Sequence, residues 1–164
     1  MSSPGIYSVA QADYIKKSRR HTGVNLVSSR RKLKETPQSD TALEVESFVR
    51  RIAELCDESK ALQVLVLDLR GRSGYAEFLV IASGTSDRHV QAIAEGIEEK
   101  LKAAGKRPIG TEGLSEGQWA LLDYASVVVH VFHHFTRDVY NLEGLWKDAP
   151  RLTLSAPVST HARP

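Results

Sequence analysis

The sequence predicts an α/β fold in which a mixed five-stranded sheet is flanked by helices. Three observations support this class. Two segments have the apolar spacing of amphipathic helices, several short runs are rich in β-branched residues, and glycines and polar clusters separate these segments. The chain has 164 residues, of which 41% are hydrophobic, so it is long enough for one domain with a substantial core.

The first half of the predicted domain contains one helix and two strands. Thr41 and Glu44 match a capping box, which predicts that the first helix begins at Thr41. Apolar residues then recur at helical spacing. These are Val45, Phe48, Val49, Ile52, Leu55 and Cys56. The apolar runs at residues 63–69 and 77–83 follow, and both predict buried strands.

A second helix is predicted after Gly84, with Thr85 or Ser86 as its N-cap and Gly105 beyond its end. Its apolar face comprises Val90, Ile93, Ala94, Ile97 and Leu101. These residues follow helical periodicity, which predicts that this face packs on the sheet.

The remaining residues complete the sheet and end the domain. A short extended segment is predicted at 107–111, and two further strands are predicted to begin at Trp119 and Val127. Residues 138–146 predict a last short helix despite the glycine within them. From Pro150 onward we expect a loose C-terminal tail, residues 150–164.

The positive charge of the chain lies in its first forty residues. Residues 1–40 carry eight Lys and Arg side chains and three acids, a net charge of +5, which leaves −3 for residues 41–164. No sustained apolar periodicity runs through residues 1–38, so we expect residues 1–40 to form a basic, disordered tail. A tail of this composition suits contact with nucleic-acid phosphates and also suits a solubilising extension, and the sequence leaves both interpretations open.

The sequence also limits the location of the protein. No apolar run approaches the roughly 20 residues that cross a bilayer, and no secretory signal pattern is present, so we expect no membrane partner. Cys56 is the single cysteine and fits a reducing compartment. Asp13 and the late onset of basic residues disfavour a transit peptide, so we expect a bacterial cytoplasmic protein, with an organelle as the alternative. A homodimer and a monomer are equally compatible with the sequence.

A group of three histidines raises the question of a metal site. On a single strand, alternation would place His130 and His134 on one face about 13 Å apart, with His133 on the other face. Zinc requires three or four convergent ligands, and no cysteine lies nearby. We therefore expect no metal, and we interpret His130 as a hydrogen-bonded histidine at the edge of the core.

Enzymatic motifs are weak in this sequence. Asp68 and Asp123 each stand alone between apolar residues, so the carboxylate pair that would hold two metal ions is missing. The turn at residues 83–86 (SGTS) has the small residues of a phosphate-binding helix start, although N-capping explains the same residues. We expect a protein without enzymatic activity or cofactor. The alternative is a nucleotide-binding transferase that uses the SGTS turn.

Three blocks of the sequence resemble the Iojap family of ribosomal silencing factors, also called RsfS. The first is FLVIASGTSDRHVQAIA at 78–94, and the second joins Glu112 and Gly113 to WALLDY at 119–124 and VVVHVF at 127–132. The third block consists of Arg137, Tyr140, Leu142, Glu143, Leu145, Trp146, Asp148 and Ala149. The resemblance assigns the family domain to residues 41–149 and leaves both tails outside it.

The resemblance implies a protein without catalytic activity that binds the large ribosomal subunit through ribosomal protein L-fourteen. It would block joining of the small subunit and repress translation. The family's fold is similar to that of nucleotidyltransferases but lacks their catalytic acids. We expect the basic tail to contact ribosomal RNA and the WALLDY segment, residues 119–124, to supply specificity.

We therefore predict the partner-binding surface on the WALLDY segment and on two aromatic residues that follow it in the sequence, Tyr140 and Trp146. Alternation along the strand puts Trp119, Leu121 and Asp123 on one face, which we expect a partner to cover. The competing interpretation is that Trp119 belongs to the core. The predicted partner-binding residues are Trp119, Leu121, Leu122, Asp123, Tyr124, Tyr140 and Trp146.

Ala125 and Ser126 stand where the family commonly has Gly-Asp, and Ala125 restricts a turn with positive φ.

Overall fold

The computed structural model of the protein describes residues 38–74 and 76–154. In chain order these form α1 (Gln38–Glu58), β1 (Leu62–Asp68), β2 (Phe78–Gly84), α2 (Asp87–Ala103), β3 (Gly110–Glu112), β4 (Trp119–Asp123), β5 (Val127–His133), α3 (His134–Tyr140) and α4 (Leu142–Leu145). The predicted α/β class, with five strands and flanking helices, is confirmed.

The five strands form one mixed sheet in the order β1-β2-β5-β4-β3. β2 and β5 run parallel to each other, and the other neighbours are antiparallel. The two central strands are buried along almost their whole length because both faces of the sheet are covered. This double burial explains why their sequences are continuous apolar runs without polar alternation.

Two hydrophobic clusters lie on opposite faces of the sheet. On the first face, α1 and α2 pack with Val80, Ala120, Leu122 and Val129 of the sheet. On the second face, Tyr140 of α3 and Leu142 of α4 join Ile81, Trp119 and Leu121. Both faces of β4 are therefore enclosed, which decides how the WALLDY segment can act.

The second predicted helix has the expected cap and apolar face. Ser86 is the N-cap of α2, and its Oγ accepts a hydrogen bond from the backbone N–H of His89 at 3.1 Å. The buried residues of α2 are the five that helical spacing predicted. Gly105 follows the helix with φ of +80°, a conformation that glycine adopts without steric cost.

The first helix begins earlier than the capping box predicted. α1 starts at Gln38, so Thr41 lies inside the helix and does not cap it. No glycine or proline lies between positions 38 and 41 to prevent the helix from extending in this direction. Residues 38–40, which were expected in the tail, therefore belong to α1, and the predictions for residues 1–37 lie outside the described part of the chain.

The C-terminal region is more ordered than expected as far as Leu154. The backbone N–H of Asp68 donates to the carbonyl of Pro150 at 2.8 Å, and that of Leu152 donates to the carbonyl of Val66 at 2.9 Å. The expectation of a loose tail is thus wrong for residues 150–154, because the outer edge of β1 offers unpaired backbone groups that this segment satisfies. Residues 155–164 lie outside the described part.

The single helix predicted at 138–146 is divided between two helices. Asn141 has φ of 43°, which ends α3, and its side chain accepts a hydrogen bond from the N–H of Gly144 at 3.1 Å at the start of α4. Asparagine tolerates this left-handed conformation better than most residues, so it can both end one helix and cap the next. Helical periodicity alone does not reveal such a break.

An aromatic cluster forms the centre of the second core. The rings of Phe132 and Tyr140 lie 5.1 and 4.4 Å from that of Trp119, measured between centroids. The indole N–H of Trp119 donates to Nδ1 of His130 at 2.9 Å, and the Trp119 side chain is 1% exposed. The interpretation of His130 as a hydrogen-bonded histidine is confirmed, and Trp119 is a core residue.

We expect Trp119→Ala to lower the free energy of unfolding by about 3 to 5 kcal/mol, because it leaves a large cavity. Chemical denaturation monitored by circular dichroism measures this change. Phe135→Ala is the matched control, since Phe135 is 74% exposed and its truncation should change the free energy by less than about 0.5 kcal/mol. A Trp119→Ala loss below about 1.5 kcal/mol would contradict the core assignment.

Acid should destabilise the protein through His130. Complete burial lowers the pKa of His130 from 6.5 to about 3, so between these values the unfolded chain binds a proton that the native state does not. Its contribution to stability is complete above about pH 6.5 and falls toward pH 3 by up to about 1.4 kcal/mol per pH unit. His130→Gln retains an acceptor for the Trp119 indole and should reduce this slope. Identical slopes in denaturation series of the two proteins would show that His130 is not responsible.

Candidate functional site

The predicted partner-binding residues differ in accessibility. Five of them are buried in the two cores, namely Trp119, Leu121, Leu122, Tyr124 and Tyr140. Asp123 and Trp146 are half-buried. The expectation that Trp119 and Leu121 present an exposed face is therefore wrong, because α3 and α4 cover that side of β4.

The alternation rule itself holds along β4. Trp119 and Leu121 point to the second core, and Ala120, Leu122 and Tyr124 point to the first. The error lies in the assumption that one face of the strand is free. Only Asp123, the last residue of β4, extends beyond the covering helices and remains partly accessible.

Asp123 lies in a groove at one end of the sheet, where β4 ends and β2 and β5 begin. This groove has a volume of about 390 Å³, and we call it the Asp123 groove. Its lining residues are Ser73, Gly74, Ala76, Glu77, Ile109, Asp123, Ala125 and Ser126. Ile109 is 74% exposed, so the groove combines an accessible apolar side chain with two acids. Trp146 is not among the residues that line it.

The carboxylate of Asp123 is partly desolvated. Partial burial raises its pKa, and the backbone N–H of Ala125, which donates to Oδ1 at 2.8 Å, acts in the opposite direction. Neither Asp123 nor Glu77 takes part in an ion pair among the residues that the structure describes. The groove therefore contains two acids outside any described ion pair, and the charge of Glu77 acts on the nearby guanidinium of Arg70.

The turn between β4 and β5 fixes the position of Asp123. Ala125 has φ of 67°, so the alanine adopts the left-handed turn conformation that it was expected to restrict. This conformation costs an alanine about 1 to 2 kcal/mol relative to right-handed backbone. The N–H of Tyr124 donates to the carbonyl of Val127 at 2.9 Å, and the bond from Ala125 to Asp123 adds a second restraint. These two hydrogen bonds hold the turn despite its strain.

A second accessible surface lies on α3 and was not predicted. Phe135 and Val139 are exposed, and their spacing of four residues puts them on the same side of the helix. The opposite side is anchored by Arg137, whose guanidinium donates to Ser83 Oγ at 2.8 Å and to Glu143 Oε1 at 2.6 Å. Sequence reasoning missed this strip because a seven-residue helix is too short for its periodicity to be distinctive.

The histidine group does not form a metal site in this arrangement. β5 ends at His133, and His134 begins α3, so the expectation that His130 and His134 share a strand face is wrong. The side chain of His133 accepts from the N–H of Phe135, and its ring stacks on that of His134. Within residues 38–74 and 76–154, no three His, Cys, Asp or Glu side chains are grouped to hold a metal ion.

The SGTS turn has largely internal hydrogen bonding. The N–H of Thr85 donates to Nδ1 of His89, and the N–H groups of His89 and Val90 donate to Oγ and the carbonyl of Ser86. A Cβ on Gly84 would lie 2.8 Å from the Val90 nitrogen, so glycine is required here by helix packing. Capping and packing therefore account for the small residues of this turn.

The two acids that the sequence singled out are far apart. β1 and β4 are separated by three strand spacings in the sheet, which corresponds to roughly 14 Å between Asp68 and Asp123. Asp68 is engaged by Arg70, whose Nε donates to Oδ1 at 3.0 Å and lowers the pKa of the carboxyl. Two-metal catalysis requires ions about 3.5 to 4 Å apart, and these acids are too distant to hold them.

No helix among the described residues has the length and apolar character to cross a membrane.

Comparison with known proteins identifies the family. The profile of the family described as "Ribosomal silencing factor during starvation" (RsfS) matches residues 42–164. The ribosomal silencing factor RsfS of Bacillus subtilis is 43% identical over 104 residues, which cover 63% of this chain and 88% of that protein. A mouse protein named "Mitochondrial assembly of ribosomal large subunit protein 1" is 30% identical over 98 residues, 58% of this chain and 43% of the mouse protein.

The fold agrees with a solved relative. A crystal structure of a Bacillus halodurans protein has a TM-score of 0.60 and 36% sequence identity, and the match covers 66% of this chain and 99% of that one. The profile match extends over the described domain from its first helix through the segment that pairs with β1. The chain therefore belongs to the RsfS family of ribosomal silencing factors.

Proposed function

We propose that this protein binds the large ribosomal subunit through ribosomal protein L-fourteen and represses translation by blocking attachment of the small subunit. The observation that carries the proposal is the family match over residues 42–164. The name of the mouse relative, which refers to the ribosomal large subunit, supports the choice of subunit. L-fourteen is the partner implied by the resemblance of the WALLDY segment to the family.

The proposed mechanism is steric exclusion. A standard interface buries about 800 Å² on each partner, which a domain of this size can supply from one end of its sheet. The rest of the domain then occupies space that the small subunit needs. No covalent step is required, so the distance between Asp68 and Asp123 is compatible with this role.

We assign the docking contact to the Asp123 groove, with Trp146 as a second contact. Asp123 is the accessible member of the WALLDY segment, and the exposed side chain of Ile109 adds apolar area beside it. The other predicted residues act indirectly by holding β4 and the turn in place. These buried positioning residues are Trp119, Leu121, Leu122, Tyr124 and Tyr140.

Charge supports a division of labour between tail and domain. Residues 1–40 have a net charge of +5 and residues 41–164 a net charge of −3. Ribosomal RNA repels the domain and attracts the tail, so the tail is assigned a contact with RNA that increases the rate of association. We place this activity in the bacterial cytoplasm, with an organelle as the alternative that the mitochondrial name of the mouse relative represents.

Asp123→Asn should weaken binding to the large subunit at least about 10-fold, equivalent to about 1.4 kcal/mol. Asparagine keeps the acceptor for the N–H of Ala125, so the turn and the stability of the domain should be preserved. Co-sedimentation with purified large subunits measures the affinity. Glu116→Gln is the matched control, because Glu116 is an exposed acid outside the groove and its loss should leave the affinity unchanged.

The same assay can relocate or reject the docking surface. Unchanged affinity of Asp123→Asn, together with reduced affinity of Phe135→Ala, would move the contact to α3. Binding to small subunits alone would overturn the proposed mechanism itself.

Nucleotides should neither bind nor be hydrolysed. A ligand that binds only the native state raises the melting temperature, so ATP and GTP at millimolar concentration should leave the thermal midpoint unchanged. The internal hydrogen bonds of the SGTS turn and the separation of the acids are the physical reasons. A nucleotide-dependent increase that disappears in Ser86→Ala would support the transferase alternative.

A further inference from the structure

The side chain of His133 connects two helices at the end of the sheet opposite the Asp123 groove. His133 is the N-cap of α3, and its Nδ1 accepts a hydrogen bond from the backbone N–H of Phe135 at 3.3 Å. Its Nε2 lies 3.8 Å from Oδ1 of Asp87, the first residue of α2. We propose that His133 is a pH-sensitive cap: the neutral ring holds the first turn of α3, and the protonated ring releases this turn and pairs with Asp87.

The hydrogen bond to Phe135 fixes which nitrogen of the neutral His133 ring carries the proton. A ring nitrogen that accepts from an N–H group must be unprotonated, so the proton lies on Nε2, the nitrogen nearer to Asp87. An imidazolium carries protons on both nitrogens and has no acceptor left. Protonation of His133 therefore removes the cap, whereas a serine or asparagine cap keeps its acceptor at every pH.

Asp87 gives the protonated ring a new partner. Oδ1 of Asp87 already accepts a hydrogen bond from the side-chain amide of Gln118, in the loop before β4. A charge-assisted hydrogen bond is stronger than one from a neutral amide, so the His133 imidazolium competes with Gln118 for the same oxygen. The side chain of His133 is 14% exposed, which limits the hydration that would otherwise satisfy its charge. Release of the α3 cap and weakening of the Gln118 contact are therefore coupled.

The neighbouring ring of His134 responds differently to acid. It stacks on the His133 ring with 4.7 Å between the centroids, and its Nδ1 donates to the carbonyl of Gly84 at 3.3 Å. A donor of this kind survives protonation, so His134 loses no internal hydrogen bond. Two imidazoliums at this separation repel each other, which opposes the stacked arrangement that the neutral rings adopt. Protonation thus breaks the cap at His133 and weakens the stack on His134.

Other charged or titratable groups of the neighbouring elements are either engaged or exposed. They include Arg88 and His89 of α2, Glu116 of the loop before β4, and Arg137 and Asp138 of α3. Arg137 pairs with Glu143 at 2.6 Å, and the ring of His89 bonds the Thr85 N–H and the Ser59 carbonyl. Arg88, Glu116 and Asp138 are exposed, so solvent screens their charges. The response of His133 is therefore governed by Asp87 and His134.

The cap controls an exposed part of the molecule. α3 has only seven residues, so a hydrogen bond in its first turn is a large share of the bonding that holds it. Phe135, whose amide is released, is 74% exposed, and its ring lies 3.9 Å from that of His134. Acid therefore loosens the first turn of α3 and changes the surface that Phe135 presents. This response lies outside the Asp123 groove and does not rest on the proposed docking function.

Amide hydrogen exchange in the ribosome-free, full-length protein tests the proposal. From about pH 7.5 to about pH 5.5, the protection factor of the Phe135 amide should fall at least about 5-fold, as expected for loss of a cap. Gly144 is the matched control, because its amide is bound by the side chain of Asn141, an acceptor that does not titrate, at the start of α4. Its protection factor should change less than about 2-fold, which separates local uncapping from general acid unfolding.

Imidazole nitrogen spectra and two variants assign the response to His133. At the higher pH the spectra should show the His133 proton on Nε2, a measurement that requires no substitution. The side-chain amide signals of Gln118 should shift over the same pH range as the Phe135 change, because the imidazolium competes for Oδ1 of Asp87. His133→Asn should abolish both effects, since asparagine caps without titrating, whereas His134→Asn should retain the loss at Phe135.

Four outcomes would each overturn the proposal. These are a proton on Nδ1 of His133 at the higher pH, equal changes at Phe135 and Gly144, survival of the Phe135 loss in His133→Asn, and its disappearance in His134→Asn alone. Since no ribosome is present, these results are independent of the docking experiment.

Discussion

The parallel pairing of β2 with β5 is the constraint on which the rest of the structure depends. These central strands are apolar on both faces, so each face must be covered by another layer. α1 and α2 cover the first face, and the two short C-terminal helices cover the second with the help of the Trp119 cluster. Arg137 connects this second layer to the sheet through Ser83 and to α4 through Glu143, which explains how so short a helix as α3 stays in place.

Coverage of β2, β5 and most of β4 on both faces restricts where a partner can bind. The faces of these strands carry the apolar surface that usually supplies interfaces, but here they are enclosed. Recognition is therefore left to the ends of the sheet and to the outer sides of the helices. Among the described residues, the Asp123 groove and the exposed side of α3 at Phe135 and Val139 both join apolar area to polar or aromatic neighbours. Truncation of Trp119 would affect binding only through the fold.

The same geometry separates core residues from an accessible acid within one short segment. Trp119, Leu121 and Leu122 stabilise the domain, whereas Asp123 follows them by a single residue and reaches the groove. The strained turn at Ala125 keeps the carboxylate at the rim, where desolvation raises its pKa. A partly buried acid in a defined position favours recognition of a basic group, since the desolvation has already occurred before the partner arrives.

Local sequence patterns predicted much of this fold correctly. The five apolar positions of α2, its Ser86 cap and the order of strands and helices depend on spacing along the chain, which the sequence contains directly. Boundaries were less predictable where two signals competed. Thr41 has the pattern of a cap, yet nothing stops the helix before Gln38, and Asn141 breaks a helix that periodicity alone continues.

The sequence by itself determined the fold class, the family resemblance and the charge difference between basic residues 1–40 and mildly acidic residues 41–164. Only the tertiary structure decided that Trp119 is core and Asp123 is accessible, and that residues 150–154 pair with β1. Alternation along β4 assigns side chains to two faces but contains no information about what covers them. That information comes from α3 and α4. These helices follow β5 in the sequence, and their residues Tyr140 and Leu142 pack against Trp119 and Leu121 of β4.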